Sequence, residues 1–160
     1  AQYMHRKTDA ELAALYQPIL REHGIEVSDE TAGRAAGIMK ERATFTTDLW
    51  DLTSFFFVAP AEYEEKQAKK YWKGQNPAIL RELRGVLEGI DDFSLENTER
   101  IVHAWIEEKG YGMGQVMNTL RLALVGAGKG PGMYDVTSFI GKAECLKRID
   151  NLLNNLKPAE

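Results

Sequence analysis

Seven consecutive residues, Gly126-Ala127-Gly128-Lys129-Gly130-Pro131-Gly132, set alternating glycines around one lysine. Such a stretch can wrap backbone amides around a phosphate, so nucleotide chemistry is the first reading to test. It fails on detail. A phosphate loop needs four residues between its first glycine and the Gly-Lys pair, and a serine or threonine after the lysine to hold magnesium. Ala123 and Gly130 stand in those two places, and a helical pattern rather than a strand precedes the loop. The dinucleotide fingerprint fails as well, because these glycines alternate. What remains is a glycine-rich turn between two helices.

Other chemistry is sparse. His5, His23 and His103 have no cysteine or carboxylate at metal-ligand spacing, so no metal is expected. Glu62, Glu64 and Glu65, or Asp91 with Asp92, read as solvated charge runs, and no serine, histidine and acid combination suggests a triad. Cys145 sits among apolar neighbours in a helical pattern and reads as a buried thiol. The stretch Lys66 to Lys73 mixes cations with Tyr71 and Trp72. A nucleic-acid surface could look like this, but the glutamates that open the stretch favour cations gathered at the negative end of a helix with the rings packed inward. The chain reads as catalytically empty.

Bulk properties narrow the class. The 160 residues are 44% hydrophobic and 28% charged, ordinary for a globular protein. No apolar run is long enough to span a bilayer and no charged-then-apolar leader opens the chain, so no membrane role is expected. One cysteine excludes an internal disulfide and suits a cytoplasmic location. Position 1 is alanine, which leads us to expect a piece of a longer protein. A net charge of −4 opposes non-specific nucleic-acid binding, so an RNA role would have to rest on a local patch.

The elements that must position these residues are helical almost throughout. Thr8-Asp9-Ala10-Glu11 has the form of a capping box, followed by Leu12, Leu15, Tyr16 and Ile19 at helical spacing. Pro18 is expected to kink or restart this helix, and Gly24 to end it. Ser28 or Asp29 caps the next, with Ala35, Ile38 and Met39 on one face. Leu49 to Val58 reads as a buried helix, and Glu62 to Lys73 as a charged one. Gly74-Gln75-Asn76-Pro77 marks a boundary, dividing the chain into 1–74 and 75–160. Beyond it Ile79, Leu83, Val86 and Ile90 keep a stripe, Ser94 caps a helix carrying Val102 and Trp105, and Gly110 sits where a left-handed cap belongs. Met113 to Leu124 and a last helix through Leu156 complete an all-α chain of two consecutive helical bundles.

Taken in order, Thr8-Asp9-Ala10-Glu11-Leu12, Pro18-Ile19-Leu20-Arg21-Glu22, Met39-Lys40-Glu41-Arg42, Glu65-Lys66-Gln67-Ala68, Glu107-Glu108-Lys109-Gly110 and the block from Gln115 to Lys142 carry a likeness that no bulk property shows. The chain resembles the C-terminal anticodon-binding region of bacterial glutamyl-tRNA synthetases, and Tyr3 also matches its start. The resemblance implies an α-helical cage that grips the anticodon loop of tRNA-Glu. ATP and Mg would belong to a separate catalytic domain of a monomeric, cytoplasmic parent enzyme, with no cofactor in this chain. Its His-Ile-Gly-His-type and Lys-Met-Ser-Lys-Ser-type motifs are missing from these residues. Two other readings are a helical interaction or scaffold domain without RNA binding, and the related helical cage of a class I lysyl-tRNA synthetase.

Residue by residue, the resemblance implies that Arg42 reads the third anticodon base and that Arg121 contacts the first. It implies that Gly130, Pro131, Met133 and Tyr134 belong to the segment cradling the anticodon loop, Tyr134 with a ring able to stack on a base. Lys129 and Lys142 would contact phosphates. Some relatives carry threonine at Gly130 and leucine at Met133, so any role of Gly130 here falls to its backbone. From the residues alone, Arg42 reads as a helix-capping arginine, and only the resemblance reverses that reading.

Overall fold

A computed structural model describes residues 8–39, 50, 53–128 and 130–159. Two compact units divide between Val58 and Ala59. The described residues contain α-helices and a short 3-10 turn but no strand, which bears out the all-α reading.

In the first unit, α1 (Asp9–Glu22) packs on α2 (Asp29–Met39). The capping box forms as read: Thr8 Oγ1 accepts from the Glu11 amide while the Glu11 carboxylate accepts from the Thr8 amide. Leu12, Tyr16 and Leu20 are fully buried at helical spacing, and each contributes about 1.5–3 kcal/mol by leaving water. The helix continues through Pro18 to Glu22 without a restart. His23 ends it, and Gly24 with φ +74° reverses the chain so that the Ile25 amide bonds back to Leu20. Ser28 is the cap of α2, its hydroxyl accepting from the Thr31 amide. Gln17 bridges the pair by donating to the Val27 carbonyl at 2.9 Å and to Asp29 at 3.0 Å. Of the helix expected over Leu49 to Val58, Trp50 and Thr53 are helical, and the chain then tightens into the 3-10 turn Ser54–Phe56. Thr53 and Tyr16 share a buried hydrogen bond.

The second unit holds α3 (Glu65–Tyr71), α4 (Asn76–Glu88), α5 (Leu95–Lys109), α6 (Met113–Leu124) and α7 (Met133–Asn155). Helix α7 packs against α4, α5 and α6, and α3 lies on α6. Gly74 therefore falls inside a compact unit, not at its edge. The reason is visible at Asn76: its amide donates to the Tyr71 carbonyl and accepts from Gln115 at 2.6 Å, lacing the end of α3, the start of α4 and the first turn of α6 together. Trp72 adds a second tie. It is 1% exposed, donates its indole N–H to the Leu156 carbonyl at 2.8 Å, and accepts the Ala159 amide on its own carbonyl at 2.7 Å.

Ser94 and Gly110 cap α5 as read, the glycine at φ +72°. Helix α7 is interrupted at Gly141, whose φ of +85° and ψ of 166° are non-helical. Arg148 in its second half is buried, with Nε on Glu144 at 2.7 Å and Nη1 on the Leu124 carbonyl at 2.8 Å. A buried cation thus closes the last turn of α6, satisfying a carbonyl that the helix leaves unpaired.

Candidate nucleic-acid interface

Arg121 lies in the last turn of α6, where the helix must end because Gly126 turns left-handed. The Gly126 amide donates to the Arg121 and Leu122 carbonyls at 3.2 and 3.0 Å, closing the helix C-terminus. Two constraints demand glycine here. Its φ is +79°, and a Cβ would stand 2.7 Å from the Pro60 ring and 2.9 Å from the Glu62 carbonyl oxygen. The Gly126 carbonyl also accepts from the Glu64 amide at 2.7 Å. At Gly128 the side-chain amide of Gln67 fills the space a Cβ would need, 2.6 Å from that position. The segment before and into α3 thus backs the glycine turn, a role for Gln67 that motif reading did not isolate.

The far side of the turn is held by Arg121. Its Nη1 donates to the Pro131 carbonyl at 2.8 Å, bridging ten residues from the end of α6 to the entry of α7. Pro131 is buried, Gly130 has φ +126°, and Gly132 stands at the N-cap of α7. Arg121, Gly130 and Pro131 are therefore brought together. Arg42 and Lys129 lie outside the described residues.

Three residues are placed differently from expectation. Met133 and Tyr134 are 4% and 7% exposed, because the first turn of α7 turns them into the core. The Tyr134 ring meets His103 at 5.3 Å in a T-shaped contact, and among the described residues its buried hydroxyl has no hydrogen-bond partner. Burial, and then the charge of Glu99, push its pKa far above the ordinary phenol range. At 7% exposure that ring is packed inward and has little surface left for a base to stack on. Lys142 donates to the Glu88 and Ile90 carbonyls at 3.2 and 2.8 Å, placing its ammonium at the negative end of α4. A cap, not a waiting phosphate ligand, is what this geometry makes of it.

Among the described residues no group of three or more histidines, cysteines, aspartates or glutamates is arranged to hold a metal, and no helix is long and apolar enough to cross a membrane. What the described residues bring together is a guanidinium and a backbone-lined turn, groups that can meet phosphate oxygens and base edges.

Comparison with known proteins decides the family. Residues 11–153 match the family model described as anticodon binding domain. The chain belongs to that family. It is 50% identical over 156 residues to the glutamate–tRNA ligase of Phocaeicola vulgatus, covering 98% of this chain and 31% of that protein. The glutamate–tRNA ligase of Bacteroides fragilis is 48% identical over 155 residues, with 97% and 31% covered. Among solved structures, that of a glutamate tRNA ligase from Elizabethkingia meningosepticum in complex with its amino acid superposes with a TM-score of 0.92 at 39% identity, covering 98% of this chain and 31% of that one. The chain thus spans less than a third of the length of the relatives it matches.

Proposed function

We propose that this chain is the anticodon grip of a glutamate–tRNA ligase acting in the cytoplasm as a monomer. It would hold the anticodon loop of tRNA-Glu while a catalytic domain, with ATP and Mg, attaches glutamate to the tRNA. The observation that carries this is similarity along 98% of the chain to proteins named for that reaction. The lysyl reading is not favoured by relatives of that name and identity.

In this reading Arg121 contacts the first anticodon base, the backbone around Gly130 and Pro131 cradles the anticodon loop, and Lys129 contacts a phosphate. Arg42 reads the third. A cytosine there shows O2 and N3 acceptors on its pairing edge, which a guanidinium fork can engage together. Guanine shows N–H donors on the corresponding edge, and donor against donor is repelled. Glutamate anticodons end in C and glutamine anticodons in G, so one arginine separates them by about 1–3 kcal/mol.

Arg42→Gln should erase most of the preference for tRNA-Glu over tRNA-Gln in equilibrium binding, a roughly 5- to 150-fold change. Lys129→Ala should weaken both tRNAs equally. An unchanged preference in Arg42→Gln would remove that residue from the proposal.

A further inference from the structure

The lysines of α3 have no place in the site as derived so far, yet the fold sets them beside it. Gln67 is the fixed point, since its amide rests against Gly128 of the turn. Successive helical residues are rotated by about 100°, which sorts the rest of the helix around Gln67. Lys66 and Lys70 lie within about 40° of each other on one flank of it. Glu65 and Lys69 lie on the opposite side, about 160° away. The two rear residues neutralise one another in an exposed ion pair at 2.8 Å. Lys66 and Lys70 are exposed and, among the described residues, neither has a carboxylate partner. Lys70 sits 5.3 Å from the centroid of the Tyr71 ring, a weak contact that leaves its ammonium in water. Lys66 and Lys70 thus lie on the flank nearer the turn, where the exposed Glu62 and Glu64 also stand, while Glu65 is taken up by Lys69.

We propose that Lys66 and Lys70 form a phosphate-contact flank for the single-stranded RNA backbone whose bases enter the glycine turn. The proposal rests on the anticodon reading above and adds to it a site with a defined job: affinity without base preference. Phosphate neutralisation releases counterions, so each contact to a single strand contributes a slope of about −0.7 in log K against log salt.

The test is binding of the full chain to tRNA-Glu and tRNA-Gln across a range of monovalent salt. The Lys66→Gln/Lys70→Gln variant should show a slope shallower by about 1.4 for both tRNAs, with the preference between them unchanged. Lys69→Gln, on the rear face, should keep the wild-type slope. An unchanged slope in the double variant, or an equal loss in Lys69→Gln, overturns the flank while leaving the anticodon reading standing. A wild-type chain with no salt-dependent affinity for either tRNA overturns both. All three lysines are exposed, so these variants leave the buried core intact.

Discussion

The guanidinium of Arg121 is bonded to the carbonyl of Pro131 at 2.8 Å, so the arginine that faces the glycine turn also holds it closed. Guanidinium geometry matters to this bridge, because a planar fork aims its N–H groups in fixed directions that an ammonium does not reproduce. Arg121→Lys keeps the charge and loses the fork. It should lower affinity for tRNA-Glu and tRNA-Gln alike by about tenfold and destabilise the fold by about 1.5–3 kcal/mol, the worth of a charged hydrogen bond. Parallel binding and urea-unfolding measurements check this. Full affinity with a loosened turn would mean that the bridge is structural only.

Gly126 and Gly128 should respond differently to alanine. At Gly126 the added methyl meets a proline ring and a backbone carbonyl in a left-handed conformation, neither of which can yield. Conformation alone costs about 1–2 kcal/mol, and the overlap should raise the total to about 3 kcal/mol or more. At Gly128 the methyl meets only the far end of Gln67, which can swing aside. Gly128→Ala should cost under about 1 kcal/mol, yet displace Gln67 from the turn. Gly24→Ala is the control for conformation alone, since φ is +74° there and the surroundings are open. Denaturant midpoints for the three variants give the ranking.

Alkaline pH should weaken the first unit through Tyr16. Burial raises its phenol to about 12 from an ordinary 10, against a smaller opposing effect of the Thr53 hydrogen bond. The folded state therefore holds the proton more tightly than the unfolded one. Stability from this group is complete below pH 10 and is lost as pH rises toward 12, about 3 kcal/mol in all. Unfolding at pH 9 and pH 11 should show the drop, and Tyr16→Phe should flatten it. Cys145 acts with the same sign: burial pushes its thiol up to about 12, so it should resist thiol reagents at pH 8 until the protein unfolds.

Local chemistry made much of this fold legible. Thr8, Ser28, Ser94, Gly24 and Gly110 act at helix ends through bonds to their own near neighbours, so a few residues of sequence suffice to place them. The same holds for the buried stripes along α1 and α4, where helical periodicity sorts apolar residues to one side. The glycine turn was legible as a turn for the same reason. Its likeness to a family of anticodon binders was legible as ordered short motifs.

Tertiary packing decided what the turn's neighbours do. Tyr134 and Lys142 carry side chains suited to RNA, and nothing in their own segments says that one would be buried against His103 and the other spent on the end of α4. Gln67 and Arg148 show the converse, polar side chains with no motif of their own that become fixed by residues 61 and 24 positions away. Sequence by itself determined the elements that close on near neighbours, because those bonds form at short range whatever the rest of the chain does. Which polar groups remain for a ligand was decided only when distant helices met, because burial removes water and obliges each donor and acceptor to find its partner wherever the fold has placed one.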